Sequence, residues 1–334
     1  MTGIQILPDT GKGLSHESEP SRFSHFYRAC ALNIASTISL PSLLDIDTRD
    51  ALVDVTIVNG QVPDTLDIPQ VTVGPNWELA ESHFLLKIPN IGKFLIRDAS
   101  RITFQPAPGL PPEELSAFLT GSVMGLLLHL RGALVLHGSA VKVGDGAVIL
   151  CGPSGAGKST LAAALGKRGY AMLCDDLSPL FEDPEHGMRV HPDGRRHKLW
   201  DNAVEALDLN ARRGEGVRTQ MHKFHVAPVA TISHPLPVKA LYELHKSDNG
   251  EIVSITRASL LDAAAIVRRN AYRPRIMREL GQQAAYFSGA ARITQTSGIF
   301  VLRRAMNFDH LDQVLDCLEE QWATPAFPKA GNAK

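Results

Sequence analysis

The chain has few cysteines, few aromatic residues and almost no net charge. Its 334 residues contain no C-x-x-C pair, which argues against a zinc site, and the four cysteines lie far apart: Cys30, Cys151, Cys174 and Cys317. The formal charge of -1 provides no general attraction to nucleic acid or to an anionic membrane. The most apolar stretch, 115–130, is shorter than the ~20 residues of a membrane span. We therefore expect a globular cytoplasmic protein that binds neither nucleic acid nor membrane.

Proline and turn residues divide the chain into a β-rich first part and a longer second part. Residues 1–22 lack the basic and then apolar order of a secretory signal, and we expect them and residues 325–334 to be flexible tails. Short β-rich runs separated by turn residues predict a small antiparallel domain over residues 23–110. The proline-rich segment 105–112 cannot continue a strand or a helix, so it marks the end of this domain.

The second predicted domain, residues 111–324, combines helices and strands. Apolar residues recur every three or four positions in 115–130, which predicts a buried helix. Two apolar runs joined by Gly144-Asp145-Gly146 predict a β-hairpin of Leu134–Val143 and Ala147–Cys151. The remaining predicted elements are helices at 158–168, 259–270, 274–291 and 309–322, and strands at 170–174 and 299–302.

Residues 152–159 match the pattern G-x-x-x-x-G-K-(S/T) at every required position, between an apolar strand and a helix. In this Walker A loop, called the P-loop below, backbone N–H groups surround the phosphates and Lys158 reaches the β- and γ-phosphates. The hydroxyl of Ser159 is expected to bind Mg²⁺. We therefore predict ATP and Mg²⁺ as cofactors. The predicted nucleotide-binding residues are Gly152, Pro153, Ser154, Gly155, Ala156, Gly157, Lys158, Ser159 and Thr160.

Two adjacent carboxylates, Asp175 and Asp176, follow the strand predicted after the P-loop helix. Carboxylates at this place can hold Mg²⁺ and accept the proton of a hydroxyl group. The chain has no N-K-x-D motif, no L-S-G-G-Q motif and no later apolar strand that ends in Asp-Glu. These absences argue against a GTPase, a transporter ATPase and a motor ATPase, and they favour a kinase-like phosphoryl transferase.

The segment from Val135 to Leu180 combines these features with further residues. In order, it contains Leu136-His137-Gly138-Ser139-Ala140-Val141, the P-loop, Arg168-Gly169-Tyr170 and Cys174-Asp175-Asp176. In these residues the chain resembles the C-terminal catalytic domain of the HPr kinase/phosphorylase family. The resemblance implies an α/β fold of the HPr kinase/PEP carboxykinase type, in which a mixed P-loop sheet with flanking helices follows the β-rich domain.

The resemblance also implies roles for individual residues of the segment. His137 would polarise the two aspartates, and Asp176 would accept the proton of a serine hydroxyl. Asp175 would support the metal, so Ser159, Asp175 and Asp176 are the expected metal ligands. Lys158 would bind the phosphate group that is transferred.

The chain departs from that family after Asp176, where the family's glutamate-bearing, glycine-rich signature is absent. The segments 197–203, 221–224 and 272–275, together with the β-rich N-terminal region, resemble stand-alone kinases instead. Some of these kinases phosphorylate a serine on ribosomally made peptides such as lasso peptide precursors. The resemblance implies a peptide or small protein with an acceptor serine as partner. The missing glutamate argues against phosphorylase activity and against HPr as substrate. Members of the family form oligomers, so the resemblance is also compatible with a homo-oligomer.

Basic residues are concentrated between residues 189 and 225. Lys198 and Lys223 are our first candidates for neutralising the transferred phosphoryl group. We expect the basic side chains of this region at the surface: Arg195, Arg196, Lys198, Arg212, Arg213, Arg218 and Lys223.

Two other functions stay open at this point. A small-metabolite kinase of the shikimate type also has an aspartate after the P-loop helix. A nucleotide-binding sensor or assembly factor would need no phosphoryl transfer at all.

Overall fold

The computed structural model describes residues 23–44, 51–80, 82–218, 221–247, 251–324 and 327. The first predicted tail, residues 1–22, lies outside the described residues, and so does the second, 325–334, apart from Phe327. Phe327 is buried and packs in an apolar cluster of the second part of the chain.

In the described part of the chain, eight strands form the first sheet, and the last of them extends to Pro106, so the prediction that segment 105–112 cannot continue a strand is wrong at its first two residues. They are β1 (His25–Ala29), β2 (Leu32–Ser36), β3 (Val55–Asn59), β4 (Thr72–Val73), β5 (Trp77–Ala80), β6 (His83–Ile88), β7 (Gly92–Arg97) and β8 (Arg101–Pro106), in the order β1-β2-β3-β8-β7-β6-β5-β4. The prediction of a purely antiparallel sheet is wrong, because β3 runs parallel to β2 and β8. Residues 37–54 separate β2 from β3, and a connection of this length permits the crossover that a parallel pair needs.

A buried helical segment joins this sheet to the second part. It consists of α1 (Pro112–Phe118), a π-helical turn (Leu119–Val123) and α2 (Met124–Leu130), so the predicted helix is present but contains a wider turn. In that turn the Thr120 hydroxyl donates a hydrogen bond to the carbonyl oxygen of Ser116 at 2.8 Å. Bonds of this kind to the preceding turn compete with regular helix geometry.

The second part contains the remaining strands of the described residues. They are β9 (Leu134–Val143), β10 (Gly146–Cys151), β11 (Met172–Asp183), β12 (Gly187–Val190), β13 (His197–Trp200), β14 (Arg213–Arg218), β15 (Met221–Val226), β16 (Leu236–Lys246), β17 (Val253–Arg257) and β18 (Ile299–Arg304). The central sheet is mixed and has the order β10-β9-β11-β12-β16-β18-β17. Strands β9 and β10 form the predicted hairpin, and β10 also runs parallel to β16. Strands β13, β15 and β14 form a small separate sheet in the region that the sequence left unassigned.

Helices flank the central sheet. They are α3 (Lys158–Lys167), α4 (Asp201–Ala206), α5 (Leu260–Arg269), α6 (Pro274–Glu279), α7 (Gln283–Thr296) and α8 (Leu311–Ala323). The single helix predicted at 274–291 is two helices in the structure. Gly281 adopts a φ angle of 69°, which a continuous helix cannot contain, and it lies between the end of α6 and the start of α7. Within the described ranges, no helix is long and apolar enough to cross a membrane.

The first sheet and the second part share one apolar core. Phe94 and Phe104 of the first sheet belong to the same buried cluster as Leu119, Val135 and Leu177.

Backbone hydrogen bonds also join the first part to residues 192–196. The N–H group of Cys30 donates to the carbonyl oxygen of Pro192 at 2.7 Å, and that of Arg196 donates to Ser42 at 2.8 Å. The first part therefore supports the segment that carries Arg195.

Candidate active site

The P-loop residues lie between β10 and α3, which is the context that the motif requires. Gly152 has φ 138, and a Cβ atom there would lie 2.8 Å from the carbonyl oxygen of Leu244. Gly157 has φ 79, and a Cβ atom there would collide with the guanidinium group of Arg304. Both positions therefore need glycine. The resulting loop precedes the N-terminus of α3, where backbone N–H groups can bind an anion.

Lys158, the first residue of α3, is buried and folds back onto the P-loop. Its Nζ donates hydrogen bonds to the carbonyl oxygens of Gly152 at 2.9 Å and Pro153 at 3.1 Å. Burial lowers the pKa of Lys158, and the carboxylates of Asp175 and Asp176 act in the opposite direction. The lysine is thus held at the base of the loop by neutral carbonyl groups.

The pairing of β9 with β11 brings the two aspartates beside the P-loop. Asp175 lies opposite Ser139 and Asp176 lies opposite Gly138, which also pairs with Cys151 at the end of β10. Asp176 has φ 99, a conformation that non-glycine residues rarely adopt. Strain of this kind is concentrated at functional sites.

Asp175 is fully buried and its carboxylate is held by the fold. It accepts hydrogen bonds from the Ser139 hydroxyl at 2.6 Å and from the backbone N–H of Lys198 at 2.9 Å. Nδ1 of His197 lies 3.6 Å from its second oxygen. Burial acts to raise the pKa of Asp175, but His197, Ser139 and Ser159 outweigh burial and lower it. Asp175 is therefore ionised, and its hydrogen bonds hold it in a fixed position near the P-loop.

Asp176 faces three basic side chains. Nδ1 of His137 lies 3.2 Å from one carboxylate oxygen, while Nζ of Lys198 lies 3.0 Å and Nη1 of Arg195 lies 3.2 Å from the other. Burial acts to raise the pKa of Asp176, but Lys198, His137 and Arg195 hold it well below its ordinary value. The carboxylate is consequently ionised.

Arg195 and Asp193 complete this cluster, and the sequence analysis did not identify either of them as a site residue. The prediction that Arg195 lies at the surface is wrong, since it is 1% exposed between the carboxylates of Asp176 and Asp193. Asp193 accepts hydrogen bonds from the backbone N–H groups of Asp175 at 2.8 Å and Arg195 at 3.1 Å. Burial raises the pKa of Asp193 to about 8. The local signal was an Asp-Gly pair at 193–194, which is typical of a turn and does not show which way the carboxylate faces.

Lys198 and Lys223 enter the site from the small sheet. Lys223 pairs with Trp200 across β13 and β15, and its Nζ lies 4.6 Å from the centre of the Trp200 ring. Burial lowers the pKa of Lys223. Arg212 and Arg213 are exposed, as predicted, and the side chain of Arg218 lies outside the described structure.

A cleft of about 230 Å³ joins the P-loop to the basic and acidic cluster. The P-loop and the start of α3 contribute Ser154, Gly155, Gly157, Lys158, Ser159 and Thr160, and the neighbouring strands contribute His137, Asp176, Lys198 and Lys223. The remaining wall consists of Trp200, Asn202, Ala203, Arg304, Met306, Asn307, Phe308 and Leu311. Among the predicted site residues, Asp175, Gly152, Pro153 and Ala156 do not line this cleft.

The oxygen donors of Ser159, Asp175 and Asp176 fit Mg²⁺, and of these three residues Ser159 and Asp176 line the cleft. Ser159 and Asp175 supply oxygen donors, and Ser159 is one of the groups that lower the pKa of Asp175. Mg²⁺ prefers such donors and usually binds one or two carboxylates together with phosphate oxygens and water. The described residues contain no group of three or more His, Cys, Asp or Glu side chains suited to a metal.

Known proteins are similar to part of this chain. It is 36% identical over 114 residues to the HPr kinase/phosphorylases of Thermoanaerobacter sp. (strain X514) and Thermoanaerobacter pseudethanolicus (strain ATCC 33223 / 39E). The match covers 33% of this chain and 37% of each relative, so the chain spans little more than a third of the curated relatives that it matches. No family model matches the chain.

A solved structure, that of the Hpr(Ser) kinase/phosphatase from Coxiella burnetii, is similar at 12% identity with a TM-score of 0.29. The alignment covers 56% of this chain and 95% of that chain. From the sequence matches, the predicted resemblance to the HPr kinase/phosphorylase family is confirmed over a third of the chain.

Proposed function

We propose that this protein is an ATP- and Mg²⁺-dependent kinase that transfers the γ-phosphoryl group to a serine hydroxyl of a peptide or small protein. One observation carries the proposal: a single cleft is lined both by Lys158 and Ser159 of the P-loop and by Asp176, His137 and Lys198. The P-loop has the chemistry to hold a triphosphate, and Asp176 is a carboxylate that can receive a hydroxyl proton.

The P-loop side would bind the phosphates. The ammonium of Lys158 exchanges its two loop carbonyl partners for β- and γ-phosphate oxygens, which are better acceptors because they are charged. Ser159 and Asp175 would hold Mg²⁺, with Asp176 beside them. When bound, the ion neutralises charge on the phosphates and orients them for transfer.

Asp176 would orient the acceptor serine and take its proton. The serine oxygen forms a bond to the γ-phosphorus while the bond to the bridging oxygen breaks, which leaves ADP, and the hydroxyl proton passes to the Asp176 carboxylate. His137 would hold that carboxylate in place through its contact of 3.2 Å.

Lys198 would neutralise the transferred phosphoryl group. Its ammonium contacts Asp176 at 3.0 Å, so a move toward the phosphate would also leave Asp176 with one cation fewer and make it a stronger base. Lys223 lies on the adjacent strand and would add a second positive charge.

The experiment is intact-mass spectrometry of candidate acceptors after incubation with the protein, Mg²⁺ and ATP. A short precursor peptide encoded near this protein and HPr are the two acceptors to compare. We expect one phosphate on a serine of the peptide, and transfer at least ~100-fold slower with Asp176→Asn, the lower range for loss of a general base. ATP affinity should not fall in that variant, whereas Lys158→Ala should reduce it.

Asp145→Asn is the matched control, because Asp145 is exposed in the β9–β10 turn, at the opposite end of β10 from the P-loop. Normal transfer by Asp176→Asn would remove that residue from its proposed role. If ATP bound and neither acceptor changed, a small-metabolite kinase or a nucleotide-binding sensor would replace the proposed function.

A further inference from the structure

The cleft has a wall that phosphoryl transfer does not use. Met306 and Phe308 follow β18 and line the cleft beside the P-loop, with 41% and 39% of their surfaces exposed. Asn307 lies between them, and its amide can both donate and accept hydrogen bonds. Exposed apolar side chains that line a cleft together are a feature of ligand sites.

Arg304 lies at the base of this wall as a buried cation. It is 4% exposed and donates to the carbonyl oxygen of Ala156 in the P-loop at 3.0 Å. Its Nε has no hydrogen-bond partner, and no carboxylate of the described residues pairs with it. A buried charge of this kind is costly without a counterion, so an anion bound at the P-loop would satisfy it.

The direction of a bound triphosphate follows from the two ends of the cleft. Asp176 and Lys198 mark the end where the γ-phosphate must lie. Trp200 belongs to that same end, because it shares β13 with Lys198 and Lys223 lies over its ring. The rest of the nucleotide must leave along the other wall, where Met306 contacts the Gly157 position.

We propose that Met306, Asn307 and Phe308 form a nucleobase site for a purine and that Arg304 contacts the phosphate nearest the ribose. The two apolar side chains would pack against the faces of the base, and the amide of Asn307 would form hydrogen bonds with its polar edge. This inference rests on the proposed function, because it requires that the P-loop binds a nucleoside triphosphate.

The test is isothermal titration calorimetry of the full chain, in the presence of Mg²⁺, with ATP and with inorganic tripolyphosphate. The wild type should bind ATP more tightly than tripolyphosphate. The double variant Met306→Ser, Phe308→Ser should weaken ATP binding ~10-fold or more, the effect expected from losing contacts to one base, and should leave tripolyphosphate binding unchanged. Arg304→Met should weaken both ligands.

Phe287→Ser is the matched control, because Phe287 is 56% exposed on α7 and does not line the cleft. It should change neither affinity. Urea unfolding checks that the variants remain folded, which the exposure of Met306, Phe308 and Phe287 favours for the serine variants.

The outcomes separate this inference from the proposed function. Equal binding of ATP and tripolyphosphate by the wild type, or unchanged ATP binding by the double variant, would overturn the nucleobase site and leave the kinase proposal standing. Binding of neither ligand by the wild type would overturn both.

Discussion

At the scale of single residues, two adjacent aspartates differ because their neighbours differ. Asp175 is fully buried and accepts hydrogen bonds from Ser139 and from the backbone of Lys198, so its carboxylate is part of the fold. Asp176 faces the cleft at φ 99 and contacts side chains that carry positive charge. Asp176 is therefore the carboxylate of this pair that a substrate in the cleft can contact.

The Lys198–Asp176 contact predicts a change in pH dependence. The charge of Lys198 is the largest single influence that lowers the pKa of Asp176 against the effect of burial. Lys198→Gln removes that charge, so the pKa of Asp176 should rise. Activity is lost as Asp176 becomes protonated, and the acidic limb of the kcat/KM profile should therefore move to higher pH, together with a fall of about 100-fold in kcat. The measurement is phosphoryl transfer to the identified acceptor as a function of pH.

Lys223→Gln is the control for this prediction. Its Nζ lies over the Trp200 ring and makes no ion pair with Asp176 among the described contacts, so this variant should shift the acidic limb less. Equal shifts in the two variants would show that Asp176 responds to general positive charge rather than to the contact with Lys198.

At the scale of elements, two glycines test the packing around the P-loop, because one has no space for a side chain and the other has open space. A Cβ atom on Gly138 of β9 would lie 2.9 Å from the carbonyl oxygen of Leu150, so Gly138→Ala must push β9 away from β10. We expect a loss of about 1–3 kcal/mol in the free energy of unfolding. Gly166 of α3 has open space around the same position, and Gly166→Ala should raise that free energy by about 0.5–1 kcal/mol because alanine favours helix.

Urea denaturation of both variants measures these changes. Gly138→Ala should also slow phosphoryl transfer, since β9 carries His137 and pairs with Asp176, whereas Gly166→Ala should leave it unchanged. A Gly138→Ala protein as stable as the wild type would contradict the close approach of β9 to β10.

At the scale of the whole molecule, the first sheet and the P-loop part depend on each other. They share the buried cluster that includes Phe94, Phe104 and Leu177, and backbone bonds join Cys30 to Pro192 and Ser42 to Arg196. The boundary near residue 110 stays a prediction, and the shared core argues that the two parts unfold together.

We therefore predict a single unfolding transition. Trp77 lies in the first sheet and Trp322 in the last helix, so each can report on one part. A Trp200→Phe, Trp322→Phe variant leaves Trp77 as the probe, and a Trp77→Phe, Trp200→Phe variant leaves Trp322. In each variant, the midpoint from tryptophan fluorescence in urea should coincide with that from circular dichroism. An earlier transition seen only through Trp77 would mean that the first sheet unfolds independently.

The sequence by itself determined the local features of this protein. A glycine pattern between an apolar strand and a helix, a hairpin signal at 144–146 and periodic apolar residues predicted the P-loop context, the β9–β10 pair and most helices. These features depend on neighbouring residues, so spacing alone reveals them. The order of the strands was not predictable in this way, because the parallel pairing of β3 arises from contacts between distant segments.

The charge arrangement of the site was decided by the tertiary structure alone. In the sequence, Arg195 cannot be distinguished from the neighbouring basic residues expected at the surface. In the structure it is buried, because the carboxylates of Asp176 and Asp193 lie 3.2 Å and 3.7 Å from its guanidinium group. Arg304 and the apolar wall beside it join the P-loop although more than 140 residues separate them along the chain. Charged side chains are rarely buried without partners, and the spacing of residues along the chain does not show which groups the fold brings to Arg195 and Arg304.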